Sequence, residues 1–184
     1  MLYYKKINIS YYDEIVNHSL NYVKQIPEIF YRQRPAASFY ELRLADFLKK
    51  VPEIKKSFKE LDLECIRAAV YVMYNATHTS IHKDTSYPLA RINIPLLNCN
   101  NTYTEFYENV ITTEWKNPDT GIISYRVSND DYQLADRVEL TQATLLRVSE
   151  AHKVHIDEAV VPRIALTLGF YPNPIFLLNV NDVI

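Results

Sequence analysis

His82-Lys83-Asp84 is the segment of this 184-residue chain that carries the most chemistry. On an extended strand, residues i and i+2 share a face about 6.5–7 Å apart, so an imidazole and a carboxylate can converge on one ion. The pattern is weak alone, and a second copy, His155-Ile156-Asp157, stands further along. The rest of a site separates them. Two imidazoles and one carboxylate on one face of an ion leave three positions open, the donor set of non-haem Fe(II). His82 and Asp84 have His152 or His155 downstream as the second imidazole, whereas no histidine follows His155.

Arg163 opens an alternating run in which Ile164, Leu166, Leu168 and Phe170 take one face and Arg163, Ala165 and Thr167 the other. An arginine facing a sheet interior is costly unless it meets an anion. Its planar fork suits a carboxylate, in a pair worth about 1.5–3 kcal/mol. Arg91 to Leu96 repeats the arrangement, with Arg91 and Asn93 on one face and Ile92, Ile94 and Leu96 on the other. Two inward arginines beside an iron site imply a dianionic ligand.

The elements that must position these groups fall into two textures. Residues 1–62 read as helical support: one helix after a capping Asp13 to Pro27, a second capped by Ser38 with Glu41 three residues on, and a short third opened by Pro52. Arg32 to Ala37 reads as a loop. Residues 63–184 read as short strands: 66–74, 79–84, 91–97, 103–108, 110–115, 122–127, 142–148 and 163–171. Asn98 to Asn101 and Asn117 to Gly121 are turns by composition, and the apolar end Ile175 to Leu178 reads as a last strand or strap. The expected architecture is one domain, mainly β, with a closed or two-sheet core braced by N-terminal helices.

Composition narrows the function further. Twenty basic against 22 acidic side chains leave a net charge of −2, which argues against nucleic acid as the partner. Two glycines in the whole chain exclude Gly-rich phosphate loops. Cys65 and Cys99 form no CxxC pair, the start lacks a signal-peptide apolar region, and no run approaches ~18 apolar residues. These readings favour a reducing cytoplasm and no membrane partner. Oligomeric state is not readable.

At this point the chain resembles the iron(II)- and 2-oxoglutarate-dependent oxygenases. The resemblance covers roughly residues 63–171 and rests on His82-x-Asp84, His152 and Arg163 in order and spacing. Arg91 to Leu96 and Thr104 to Tyr107 look most like the aspartyl/asparaginyl β-hydroxylase branch. The resemblance implies a double-stranded β-helix (jelly roll), Fe(II) on His82, Asp84 and His152, 2-oxoglutarate anchored by Arg163, and O2 as co-reactant. His152 is preferred to His155 because its spacing to Arg163 fits and strand parity turns His155 away. In that branch an arginine nine residues past the first ligand contacts the cosubstrate, which Arg91 matches. Tyr71, Thr167 and Asn93 are further candidates for the cosubstrate pocket.

The departures are informative too. Thr79 stands where the prolyl hydroxylase branch carries Tyr, Ala165 where Ser or Thr is common, and Gly169 where nucleic-acid demethylases carry a second Arg. Asp84 favours hydroxylation over halogenation. The expected activity is hydroxylation of a protein or peptide side chain or an amino-acid-like small molecule, with succinate as co-product. The alternative is a non-catalytic jelly-roll binding protein. A cupin without 2-oxoglutarate is weaker, since His-x-His is absent.

Overall fold

The alternation beginning at Arg163 becomes a strand buried from Arg163 to Phe170, which divides the molecule into layers. The computed structural model describes residues 1–31, 37–75, 78–84, 88–116, 123–157 and 160–179, without the side chains of Tyr31, Trp115, Ile123, Ser124 and Arg126. Twelve strands are β1 (Tyr4–Lys6), β2 (Ala37–Glu41), β3 (Glu64–Met73), β4 (His82–Lys83), β5 (Arg91–Leu97), β6 (Thr102–Glu108), β7 (Thr112–Lys116), β8 (Ile123–Val127), β9 (Gln133–Glu139), β10 (Thr144–Leu146), β11 (His152–Ile156) and β12 (Arg163–Tyr171). Four helices are α1 (Tyr12–Val23), α2 (Pro27–Tyr31), α3 (Leu44–Lys50) and α4 (Glu53–Lys59), and a 3-10 turn follows at Pro174–Asn179.

The strands form two six-stranded antiparallel sheets, ordered β1-β10-β5-β12-β3-β2 and β7-β8-β4-β11-β6-β9. The chain is therefore mainly β with flanking helices. Ile164, Leu166, Leu168 and Phe170 of β12 join Ile92, Ile94, Val70 and Val72 in a core shared with Ile15, Phe47, Ile54 and Phe58 of the helices. The opposite face of the first sheet turns toward the second: Leu146 and Val148 pack with Phe106 and Val138 there. Register fixes which residues share that inner face, since directly paired residues point the same way. Thr167 pairs with both Asn93 and Ala69, and Ala165 pairs with Tyr71.

With glycine so scarce, other residues take the left-handed turns. Asn98 and Asn101, at φ 51° and 55°, turn the chain from β5 into β6, in a conformation asparagine tolerates better than most residues. The Asn117 to Gly121 turn lies outside the described residues, as do residues 32–36 of the expected loop; β7 and β8 pair antiparallel on either side of the former.

Several expectations need correction. Residues 37–41 form strand β2, not a helix: Ser38 and Glu41 mimic a capping box, but the segment pairs along β3, Phe39 opposite Tyr71. The helix begins six residues later at Leu44. Asp13 sits in the first turn of α1, favourable to the helix dipole, while Tyr11 occupies the cap without a side-chain bond. Pro27 starts α2, its missing N–H costing nothing at that position. Residues 1–62 thus supply two strands as well as helices. The 79–84 strand shrinks to His82–Lys83, with Thr79 still tied to Val154 through its N–H and hydroxyl, and the 142–148 strand to Thr144–Leu146. The apolar end forms the 3-10 turn, not a strand, and docks Leu177 and Leu178 into the helix-side core.

Phe58 meets Phe170 at 4.4 Å between ring centroids, fully buried, and so anchors α4 to β12. Phe58→Ala is expected to cost about 3–5 kcal/mol, read as a lower urea midpoint with unchanged slope; a loss under 1 kcal/mol would contradict this anchoring.

Candidate functional site

The pairing of β11 with β4 places His152 directly opposite His82. Their ring centroids lie 4.5 Å apart. Each ring is oriented the same way: His82 Nδ1 donates to Ser80 O at 2.9 Å, and His152 Nδ1 donates to Glu150 O at 2.8 Å. A carbonyl only accepts, so both Nε2 atoms carry the lone pair that a metal needs. Phe106, paired with His152 across β6, lies tilted against its ring at 6.1 Å on the apolar side.

Asp84 lies just beyond β4, its own N–H held by Val148 O at 2.9 Å. Its Oδ1 is 3.8 Å from His82 Nε2, and its Oδ2 is 3.1 Å from Arg91 Nη1. Two imidazole nitrogens and a carboxylate thus come together, the donor set that suits Fe(II). They are neighbours and not a closed cage: among the described residues no three His, Cys, Asp or Glu side chains are drawn together as a metal-binding group. His82 and Asp84 keep side-chain exposures of 32% and 24%, so the site opens to solvent on their side.

His152 is sealed on the other side. Burial first, and the neighbouring His82 second, hold its ring down to about 4. A neutral imidazole is the metal-binding form.

Arg163 is 2% exposed, and its Nε finds no hydrogen-bond partner. Among the described residues no carboxylate ion-pairs with it. Its guanidinium carbon lies 5.9 Å from the Tyr71 ring. The Tyr71 hydroxyl is pushed up to about 12 by burial, with Arg163 pulling it down and Asp84 adding to the rise, so one phenol senses both Arg163 and Asp84. Asn93 Oδ1 and Arg91 Nε are also buried without partners. Thr167, paired with Asn93, is buried on the same face. Each orphaned buried polar atom costs about 1–3 kcal/mol. The two guanidinium Nε donors on the inner face of the first sheet call for an anionic acceptor, and Asn93 Oδ1 for a donor, that the described residues do not supply.

His155 points the other way. It pairs with Tyr103 on the outer face of the second sheet, where its Nε2 donates to Asp157 Oδ1 at 2.7 Å. That face holds a separate ionic cluster: Lys153 Nζ is 3.2 Å from Glu105 Oε2, and Arg137 Nη2 is 2.9 Å from Asp157 Oδ2. His78 stacks on His155 at 6.1 Å and belongs with this cluster. Phe106 and Phe39 are neighbours of the site that sequence reasoning missed. The i/i+2 alternation within Thr104 to Tyr107 could have flagged Phe106; nothing local marks Phe39.

No protein-family model matches the chain, and no curated protein matches it. Among solved structures, it is similar to the X-ray structure of E. coli ycfD, with TM-score 0.50 and 12% identity over 82% of this chain and 38% of that one. The likeness is one of fold, and this chain spans little more than a third of its neighbour's length. No helix among the described residues is long and apolar enough to cross a membrane.

The His152 ring gives a pH signature. Unfolded it titrates near 6.5, and folded at about 4. Its contribution to metal-free stability is complete above 6.5 and is lost as pH falls from there through about 4, because the unfolded chain takes up the proton first. Urea midpoints across that window should fall in the wild type and lose this component in His152→Gln; identical profiles would contradict the burial account.

Proposed function

We propose that this protein is an Fe(II)- and 2-oxoglutarate-dependent oxygenase built on a double-stranded β-helix, hydroxylating a protein side chain or an amino-acid-like small molecule. The strand order supports the fold: β3, β4, β5 and β6 alternate between the two sheets, and β9 to β12 do so again. One observation carries the function. A guanidinium, Arg163, is buried with an unsatisfied Nε, and on the facing sheet two imidazole rings lie 4.5 Å apart, with Asp84 Oδ1 3.8 Å from His82 Nε2.

On this reading His82, Asp84 and His152 hold the metal, and Arg163 takes the far carboxylate of 2-oxoglutarate. Bound together, metal and cosubstrate supply the oxidising power of the reaction, coupling O2 and decarboxylation to succinate with hydroxylation of a substrate C–H bond. The chain's own work is placement. Arg163 pairs with an anion in an interior where a charge-assisted bond is strong. The Tyr71 hydroxyl stays protonated at any physiological pH and remains a donor. Asn93 and Thr167 offer polar atoms on the same face. Phe106, Leu146 and Val148 keep water from the apolar side.

A non-catalytic binding protein on the same scaffold is the second reading, favoured by the ion pair that already engages Asp84 with Arg91. Spectroscopy separates the two. Anaerobic protein with Fe(II) should develop a weak visible charge-transfer band when 2-oxoglutarate is added. His82→Ala should abolish it at all concentrations, and Arg163→Ala should shift it to much higher 2-oxoglutarate without loss of iron. Folded, iron-loaded protein with no band would support the binding-protein reading.

A further inference from the structure

Arg91 opens β5 and is 8% exposed, yet its charge is neither solvated nor left to a ligand. Nη1 reaches Asp84 Oδ2 at 3.1 Å, and the guanidinium carbon lies 6.0 Å from the centre of the Phe39 ring. Burial pushes the Arg91 guanidinium down, and Asp84 draws it back up. Phe39 also carries Arg67 on its ring at 5.3 Å, but Arg67 is satisfied by Glu41, its Nε donating at 2.7 Å. Arg67 therefore does not compete for Asp84.

Asp84 is fixed from the backbone side as well. Its N–H goes to Val148 O, and Pro88, four residues on, lies against Gly169 of β12. A Cβ at Gly169 would stand 3.0 Å from Pro88 Cγ and 3.2 Å from Arg67 Cβ, so the bare backbone permits an approach that a side chain would crowd. Gly169 is one step along from the Leu168–Ile92 pair, beside Arg91. Pro88 is thus seated on the strand next to the arginine.

The two oxygens of Asp84 are consequently divided. Oδ2 faces Arg91, and Oδ1 faces His82 Nε2 at 3.8 Å. A freely rotating carboxylate would offer either oxygen, or both, to an ion. We infer that Arg91 is a positioning residue: it holds Asp84 Oδ2 so that Oδ1 alone is presented to the metal, and Phe39 of the edge strand β2 holds Arg91 in place. This rests on the metal-site reading above and departs from the cosubstrate contact that family resemblance implies for Arg91. Partners that orient a metal ligand in this way commonly change metal affinity 10–100-fold when removed.

The test is Co(II) titration without O2 or cosubstrate, followed by absorption in the d–d region. It is run on wild type, Arg91→Ala, Arg91→Lys and Phe39→Leu, each checked for folding by thermal unfolding without metal. Arg91→Ala is expected to weaken Co(II) binding about 10–100-fold and alter the band pattern. Arg91→Lys should recover most of the affinity, since an ammonium can still reach one oxygen, and Phe39→Leu should show a smaller loss of the same sign. Co(II)-saturated Arg91→Ala should retain its 2-oxoglutarate affinity. Unchanged Co(II) affinity and spectrum in Arg91→Ala, or in Phe39→Leu should the first variant not fold, overturns the inference. So does loss of 2-oxoglutarate binding with Co(II) binding intact, which makes Arg91 a cosubstrate anchor and leaves the oxygenase reading standing. A wild type with no Co(II) site overturns both.

Discussion

A guanidinium sealed between two β-sheets needs an anion, and that demand organises the interior of this protein. Arg163 and Arg91 both project from the inner face of the first sheet, both are nearly inaccessible, and each leaves its Nε unpaired. Arg91 is partly answered by Asp84. Arg163 has only the face of Tyr71 among the described side chains, a weak substitute for a carboxylate. A sandwich interior selected for stability alone would carry apolar side chains at these positions, as the helix-side face of the same sheet does. The proposed function gives this polar interior a purpose: buried cationic side chains on one sheet and two imidazoles on the other.

The two histidines show how backbone geometry can set metal readiness. Each spends Nδ1 on a carbonyl two residues upstream, a local bond that requires no distant partner. Strand pairing then sets the two rings side by side, 4.5 Å between centroids. Burial keeps His152 neutral, while His82 and Asp84 retain contact with water and leave a way in. The neighbouring His155 lacks this arrangement because a shift of three residues along the strand places it on the outer, charged face.

How much of this was legible depended on whether the signal was local. The β5 and β12 boundaries follow directly from Ile/Leu alternation, and that alternation also told which side Arg91, Asn93, Arg163 and Thr167 would face. Three of the four edge strands were hidden, as was the interior strand His152–Ile156, whose burial pattern shows no alternation. The Gln133–Glu139 strand is polar and mostly exposed, the three-residue Tyr4–Lys6 strand is too short to show a period, and Ala37–Glu41 imitates a helix start. Tertiary pairing overrode propensity in the last case, because β3 offers a free edge that Phe39 and its neighbours complete. The Arg91–Asp84 ion pair was invisible for a different reason. Its partners are seven residues apart, one on β5 and the other just past β4, and no spacing rule distinguishes an arginine that meets a ligand from one that steadies a carboxylate.

The proposed activity requires three side chains to share one ion. Crystals grown with Mn(II), with diffraction recorded near the manganese edge, test that most directly. The predicted result is a single strong anomalous peak bonded to Nε2 of His82, Nε2 of His152 and Oδ1 of Asp84, with Arg163 too far to touch it. A peak on the His155–Asp157 face, or no ordered ion in that interior at saturating metal, would contradict it.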